Sequence, residues 1–336
     1  MNGQRLPMAD GSTTVERRTE RLHTRPRLPE WFRTSLPTGE RLKAFNETRN
    51  NIDDNMLATV CQEARCPNIH ECWGRGTATF MIAGEECTRG CRFCAVGSIK
   101  NPPPLDDEEP QRLADSVKRM GLEHAVITVV NRDDLDDSGA GHYRRSIEAV
   151  HKLCPETSLE LLCSDLAGDL EDLAQLLIDL PLDVFAHNVE CVPRLDRTVR
   201  DHRASFSQSL EILRQAKLLR PDILTKSSLM VGMGESHDEV VEVLHMLHEA
   251  GVELLTIGQY LQPSEQHMQV VSFPEPEQFD LWAEMAIEIG FKGVASGPLV
   301  RSSYRAGVLL RKVRGVDEGA TIPNAALVAD NTESEL

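Results

Sequence analysis

The chain has 336 residues and a formal charge of −17, from 36 Lys and Arg against 53 Asp and Glu. This acidic balance argues against a broad nucleic-acid surface, and no apolar run reaches the length of a membrane span, so neither nucleic acid nor a membrane is an expected partner. The opening residues carry arginines but also acidic side chains, with no apolar core of a secretory signal, so we expect a reducing cytoplasm as the location.

Residues 1–28 are polar and rich in Arg, Thr and Gly, which predicts a flexible N-terminal segment. Residues 29–76 form an N-terminal extension in which we predict short helices and loops. A strand is predicted at Thr77–Ala83, and Pro102–Pro104 then break the chain. The later strands are predicted at Ala125–Val130, Ser158–Cys163, Asp183–His187, Ile223–Val231, Glu253–Ile257 and Lys292–Ala295. Helices are predicted between them, near Gln111–Met120, His142–Leu153, Leu170–Leu180, Ser205–Leu219, His237–Ala250 and Glu277–Ile289.

Strands that alternate with helices predict an α/β fold with a parallel sheet and right-handed crossovers. About six such units between residues 77 and 296 favour a partial (β/α)6 TIM-like barrel over a doubly wound sheet. Residues 297–336 then form a C-terminal extension with a flexible tail. Ser236 and Glu239 fit a capping box at the start of one barrel helix.

Polar groups follow several predicted strands, at the end of a barrel where reactive loops lie. They are Asn131–Asp134, Asn188 with Glu190, Gly232–Glu235 and Gly258–Pro263. Helix caps would also place polar residues here, so position alone does not separate the two roles.

Six of the nine cysteines form two triplets: the first triplet is Cys61, Cys66 and Cys72, and the second triplet is Cys87, Cys91 and Cys94. Disulfides are unexpected in a reducing compartment, and structural zinc prefers paired cysteine knuckles, a pattern that only the last two of these cysteines approach. Each triplet instead offers three thiolates to an iron–sulfur cluster that needs four ligands. The other three cysteines are interpreted as core thiols: Cys154, Cys163 and Cys191.

The second triplet, C-T-R-G-C-R-F-C, resembles the cluster motif of the radical S-adenosylmethionine superfamily. Most of the chain, from about residue 29 to 313, resembles the lipoyl synthase family within it. The resemblance rests on V-C-Q-E-A-R-C-P-N-I-H-E-C-W (60–73), N-R-D-D-L (131–135), H-N-V-E-C-V-P-R-L (187–195), K-S-S-L-M-V-G-M-G-E (226–235), G-Q-Y-L-Q-P-S (258–264) and R-S-S-Y (301–304).

The resemblance implies two [4Fe–4S] clusters. The one on the second triplet would bind S-adenosylmethionine and cleave it to a 5′-deoxyadenosyl radical. The one on the first triplet, with Ser303 of R-S-S-Y as its remaining ligand, would be the sulfur source for insertion at carbons 6 and 8 of a protein-bound octanoyl group. Side chains expected to hold S-adenosylmethionine are Asn131, Arg132, Glu190, Lys226 and Gln259.

The implied partners are octanoylated carrier domains, from the E2 component of a 2-oxoacid dehydrogenase or the H protein of glycine cleavage. An electron donor such as ferredoxin or flavodoxin and an iron–sulfur carrier that rebuilds the spent cluster are also implied. Docking would need local basic residues, either the C-terminal arginines or the group Arg194, Arg197, Arg200 and Arg203.

Three positions depart from the usual family pattern: His70, Ala186 and Cys191 stand where the family usually has Gly, Asn and Thr. None of them is an implied cluster ligand. Two other classes share part of the pattern, namely a biotin-synthase-like or methylthiotransferase-like enzyme and a non-enzymatic iron–sulfur protein. Release of 5′-deoxyadenosine from S-adenosylmethionine would separate the enzymes from the latter.

Overall fold

The computed structural model describes residues 27–316 together with Thr321–Ile322. The predicted flexible N-terminal segment therefore lies outside the described residues except for its last two positions, as does most of the predicted C-terminal tail. Within the described ranges, no helix is long and apolar enough to cross a membrane.

Over the described ranges the strands run in chain order as β1 (Ala58–Thr59), β2 (Thr79–Ile82), β3 (Glu86–Cys87), β4 (Gly97–Ser98), β5 (His124–Val129), β6 (Ser158–Leu162), β7 (Val184–Ala186), β8 (Leu224–Val231), β9 (Leu254–Gln259), β10 (Gly293–Gly297) and β11 (Thr321–Ile322). One sheet has the order β1-β2-β5-β6-β7-β8-β9-β10-β11, and β3 pairs with β4 in a second, two-stranded sheet. In the large sheet only the β1–β2 pair is antiparallel.

The α-helices of the same ranges are α1 (Gly39–Asp54), α2 (Val60–Glu63), α3 (Ile69–Gly74), α4 (Glu109–Met120), α5 (Ala140–Leu153), α6 (Leu170–Leu177), α7 (Asp196–Val199), α8 (Phe206–Leu219), α9 (His237–Glu249), α10 (Pro276–Ile289) and α11 (Ala306–Val313). Short 3-10 helices lie at Glu30–Phe32, Leu166–Gly168 and Pro193–Leu195. The predicted capping box at α9 is present, with Ser236 and Glu239 each bonding the other's main chain.

The alternation of parallel strands and helices confirms the predicted α/β partial barrel. Its core consists of apolar strand residues that pack against the surrounding helices, including the fully buried Phe80, Ile127, Leu161 and Phe185. Burying one such side chain contributes about 1.5–3 kcal/mol. The sheet order is linear, and α11 packs against both β5 and β10, so this helix spans the open side of the barrel.

The prediction of only short helices between Trp31 and Gly76 was wrong, because α1 has 16 residues. Of these, Thr48, Asn51 and Ile52 alone are buried, so the sequence has no apolar stripe to indicate a long helix. Polar and apolar contacts both hold α1: Asn51 Nδ2 donates to Ser116 Oγ at 2.6 Å, while Ile52 and Phe45 pack in the core. This helix packs against α3, which carries the last cysteine of the first triplet.

Candidate active site

One cavity of about 880 Å³ brings the two triplets together. Its lining includes Cys61, Cys66, Cys72, Cys87, Cys91, Cys94 and Ser303. Apolar side chains such as Met81, Val126 and Leu162 line the barrel interior. The lining residues that are exposed to solvent are Ala64, Arg65, Arg75, Thr77, Gly121 and Glu123. In the described chain the cavity is therefore open to solvent beside the first triplet.

The second triplet follows β2, at the carboxyl ends of the barrel strands. Cys87 lies in β3, and its sulfur accepts a hydrogen bond from the Arg89 N–H at 3.4 Å. The sulfur of Cys91 accepts one from the Asp201 N–H at 3.3 Å. The Asp201 carboxylate in turn accepts a hydrogen bond from the Gly90 N–H at 2.9 Å. Two neighbouring residues of the loop, Gly90 and Cys91, are therefore bonded to Asp201.

A buried arginine inside this loop clamps it further. The Arg89 guanidinium donates to Asp133 at 2.6 and 2.9 Å and to Asp165 at 2.6 Å. Burial raises the pKa of Asp133, but its bonds with Arg89 and Thr88 leave that pKa below its usual value. Because paired buried charges are held in fixed geometry, the loop between Cys87 and Cys91 has a defined position before any cluster binds.

The first triplet lies on the N-terminal extension. Cys61 is buried in α2, Cys72 is in α3, and Cys66 lies in the loop between these helices. The loop is fixed to the C-terminal part of the barrel, since Asn68 Nδ2 donates to the Leu299 carbonyl at 2.6 Å.

The R-S-S-Y segment reaches this same site. Tyr304 and Arg305 both donate to the Glu71 carboxylate, at 3.1 and 2.9 Å, and so join the segment to α3. The approach requires Gly258, because a Cβ there would lie 2.1 Å from the Val300 carbonyl oxygen. Ser303 is thereby placed in the wall that the first triplet also lines, and its oxygen accepts a hydrogen bond from Thr79 Oγ1 at 2.8 Å.

The donor set fits iron–sulfur clusters. All six thiols are free, and burial raises the pKa of Cys91 to about 11 and that of Cys94 to about 12. Buried thiols of this kind lose their protons when a metal binds, and thiolates are the usual ligands of iron–sulfur clusters. Gln259 also lines this cavity, and its Oε1 is buried without a hydrogen-bond partner in the described chain.

Comparison with known proteins identifies the family. The model of the radical SAM superfamily matches residues 81–247, and the model of the N-terminal domain of lipoyl synthase matches residues 4–66. The mitochondrial lipoyl synthase of Bos taurus is 46% identical over 293 residues, which cover 86% of this chain and 78% of that protein. The chain belongs to the lipoyl synthase family. The chloroplastic lipoyl synthase 1 of Populus trichocarpa is 49% identical over 302 residues, covering 88% of this chain and 79% of that protein.

Solved structures agree with the barrel fold of a lipoyl synthase. The FeFe-hydrogenase maturase HydG from Carboxydothermus hydrogenoformans superposes with a TM-score of 0.52 at 13% identity, over 87% of this chain and 64% of that one. Methylornithine synthase (PylB) superposes with a TM-score of 0.51 at 14% identity, over 76% of this chain and 78% of that one. Family membership makes the chain a radical S-adenosylmethionine enzyme of the sulfur-inserting kind, whose substrates are lipoyl carrier proteins.

Three of the five side chains predicted to hold S-adenosylmethionine belong to residues that line the lipoyl synthase cavity: Asn131, Glu190 and Gln259. Glu190 has a left-handed backbone with φ of 68°, and burial raises the pKa of its carboxyl, opposed by Arg200 and Asn188. The neighbouring His187 also lines the cavity, and burial lowers its pKa to about 4, so its ring is neutral at pH 7.

The structure does not bring the other two, Arg132 and Lys226, to the cavity of this lipoyl synthase. The Arg132 guanidinium is buried and donates to both oxygens of Asp134 at 2.8 Å and to the Ala83 carbonyl at 3.1 Å. Lys226 is buried on β8, and its Nζ donates to Glu160 at 2.6 Å. Each charge is paired inside the protein, which favours a structural role for both residues, and their contact with the cofactor stays a prediction.

Replacing Lys226 with Met separates the structural role from the cofactor role. We expect the free energy of unfolding to fall by about 3–5 kcal/mol, because Glu160 would remain as a buried carboxylate without its cationic partner. Denaturant unfolding of the anaerobically purified lipoyl synthase measures this change. The double variant Lys226→Met/Glu160→Leu should lose much less. Unchanged stability combined with loss of S-adenosylmethionine cleavage would restore the cofactor role.

Sequence reasoning missed several residues of this lipoyl synthase site, notably Arg89, Asp165, Asp201 and Thr79. Arg89 lies between two cysteines of the motif, so its position in the sequence could have indicated that it belongs to the site. The two aspartates and Thr79 reach the site only through the barrel topology. No local pattern marks them.

Proposed function

We propose that this lipoyl synthase holds one [4Fe–4S] cluster on each triplet, with Ser303 as the additional protein ligand of the cluster on the first triplet. The observation that supports this assignment most directly is the shared cavity, which both triplets and Ser303 line. The substrate is an octanoyl group on a lysine of a carrier domain, and two sulfur atoms are inserted at its carbons 6 and 8.

The chain's own residues bind the clusters, orient the reacting groups and shield the radical from water. When bound, the cluster on the second triplet with S-adenosylmethionine supplies a carbon radical for hydrogen abstraction, and the cluster on the first triplet supplies sulfur. Arg89 and its two aspartates fix the loop of the second triplet. Met81, Val126 and Leu162 give the acyl chain an apolar wall, which also keeps water from a reactive radical.

Three polar residues are proposed to position S-adenosylmethionine: Asn131, Glu190 and Gln259. Gln259 is the best supported, because its Nε2 is anchored on the Tyr260 and Ser272 carbonyls while its Oε1 is left without a partner in the described chain. A buried acceptor in this state favours a donor such as an amine or hydroxyl of the bound cofactor.

The carrier domain is proposed to come from a 2-oxoacid dehydrogenase or the glycine cleavage system. Ferredoxin or flavodoxin is proposed as the electron donor, an iron–sulfur carrier as the partner that rebuilds the cluster, and the cytoplasm as the location. Docking through the group Arg194, Arg197, Arg200 and Arg203 stays a prediction, and three of these side chains already have partners within the protein. Arg194 is paired with Glu239, Arg200 is buried against Ser209, and Arg203 binds Asp201 and the Thr88 carbonyl.

Mass spectrometry of an octanoyl-lysine peptide tests the proposed function. After anaerobic incubation with reconstituted protein, a reductant and S-adenosylmethionine, the peptide should gain two sulfur atoms. Release of 5′-deoxyadenosine is measured in parallel. A peptide that stays unmodified while the radical cofactor is cleaved would contradict the substrate assignment.

The departure at Ala186 should have only a modest effect on activity. This residue is 2% exposed on β7 and is not among the residues of the described chain that line the cavity. We expect the natural protein to keep activity within several-fold of an Ala186→Asn variant, whose buried amide would itself cost about 1–3 kcal/mol if left without partners. Turnover and melting temperature of both proteins check this expectation. An inactive natural protein that Ala186→Asn restores would show the departure to be disabling.

A further inference from the structure

Thr79 connects the two parts of the proposed auxiliary site, defined as the first triplet and Ser303. It is the first residue of β2 and is 6% exposed. Its hydroxyl donates to Ser303 Oγ at 2.8 Å, which is the one hydrogen bond made by the Ser303 side chain within the described chain. The strand that begins at Thr79 ends at Ile82, shortly before the second triplet.

Thr79 also lies on the side of the cavity that the first triplet lines. Thr79, Cys61 and Ser303 are all lining residues of this cavity. β1 pairs antiparallel with β2, with Thr59 opposite Phe80, and Cys61 follows β1 in α2, so the sheet register brings the start of β2 near Cys61. A single residue therefore bonds one proposed ligand beside another.

The direction of the hydrogen bond matters for ligation. A hydroxyl has one proton to donate, and Thr79 directs its proton to the Ser303 oxygen. This is the one hydrogen bond that the Ser303 side chain makes within the described chain, so it fixes the direction in which the Ser303 oxygen points. The Thr79 hydroxyl thus holds that oxygen on the side of the cavity that Cys61 lines.

We propose that Thr79 is a positioning residue that holds Ser303 beside Cys61 in the geometry required for the sulfur-donating cluster. This inference rests on the proposed function, in particular on Ser303 as a ligand. Thr79 itself binds neither substrate nor iron. Its role is limited to the cluster on the first triplet, because the one hydrogen bond that its side chain makes in the described chain is with Ser303.

The test compares Thr79→Val with Thr79→Ser in the full chain after anaerobic reconstitution. Valine keeps the branched shape of threonine on a strand and removes the hydroxyl, whereas serine keeps the hydroxyl. We expect Thr79→Val to lower sulfur insertion by roughly tenfold, the loss expected for one buried hydrogen bond, with 5′-deoxyadenosine formation unchanged. Thr79→Ser should restore insertion.

A spectroscopic readout isolates the cluster from catalysis. With Cys87, Cys91 and Cys94 replaced by Ala, the remaining iron reports on the first triplet alone. Adding Thr79→Val should alter the Mössbauer signal of the serine-ligated iron and speed iron loss to a chelator. Thr256→Val is the matched control, because Thr256 is a buried strand threonine whose hydroxyl makes no hydrogen bond in the described chain. It should leave both readouts unchanged.

Each opposing result has a distinct meaning. Wild-type insertion and an unchanged iron signal in Thr79→Val would overturn the inference, and so would equal losses of product and 5′-deoxyadenosine or failure of Thr79→Ser to restore insertion. Ser303→Ala is measured beside these variants. If Ser303→Ala inserts sulfur normally, the ligand assignment of the proposed function fails. If Ser303→Ala is defective while Thr79→Val is normal, only the role of Thr79 fails.

Discussion

Replacing Cys87, Cys91 and Cys94 together by Ala is expected to abolish cleavage of S-adenosylmethionine and to leave about half of the iron. A protein with two [4Fe–4S] clusters holds about eight irons per chain, and this variant retains only the ligands of one cluster. Cleavage requires the cluster with an open iron, so 5′-deoxyadenosine should fall below detection. Iron analysis and chromatography of 5′-deoxyadenosine measure the two effects.

The reciprocal variant is the matched control. Replacing Cys61, Cys66 and Cys72 by Ala should also remove about half of the iron, since the same number of ligands is lost. It should still cleave S-adenosylmethionine, because the loop of the second triplet keeps its clamp of Arg89, Asp133 and Asp165. The roles of the clusters would be reversed if S-adenosylmethionine were still cleaved without Cys87, Cys91 and Cys94. The same would follow if cleavage were lost only without Cys61, Cys66 and Cys72.

The barrel could be predicted because its strands and helices have strong local signals. The observed β5, β6, β8 and β10 begin within one residue of their predicted starts, and each is largely buried. α1 could not be predicted in the same way, since only three of its residues are buried and two of them, Thr48 and Asn51, are polar. Polar contacts between residues that are far apart in the sequence produce no periodic pattern of apolar residues.

The site shows the same division between local and long-range information. The cysteine spacings and R-S-S-Y indicated which residues to bring together, and the cavity brings them together. The choice of cofactor contacts was less secure, because a polar residue near a strand end can face the cavity or pair within the protein. Arg132 and Lys226 pair within the protein, with Asp134 and Glu160. Only the three-dimensional placement of those carboxylates distinguishes the two outcomes.

The shared cavity also explains why one fold can supply both halves of the reaction. The second triplet is held by loops at the carboxyl ends of the strands, whereas the first is held by the N-terminal extension and the R-S-S-Y segment. Because separate parts of the chain support the two triplets, loss of a ligand at one should leave the other intact. Radical formation and sulfur donation can therefore be separated by mutation.

Ser303→Ala is the variant expected to separate them most completely. The cluster on the second triplet keeps all its ligands, so 5′-deoxyadenosine should form at close to the wild-type rate. Sulfur insertion should fall to a few per cent or less, because the proposed cluster on the first triplet would lose its single oxygen ligand. An alkoxide is a harder ligand for iron than the three thiolates, and it is the ligand whose release would open the cluster.

A single-turnover reaction with the protein's own sulfide isotopically labelled measures both products at once. Ser302→Ala is the matched control. Ser302 lines the same cavity as Ser303, but the Thr79 hydroxyl donates its hydrogen bond to Ser303. We expect Ser302→Ala to retain most of its insertion activity. Label in the wild-type lipoyl product, together with 5′-deoxyadenosine but no lipoyl product from Ser303→Ala, would establish the first triplet as the sulfur source. Unlabelled wild-type product, or full insertion by Ser303→Ala, would require a sulfur donor outside this site.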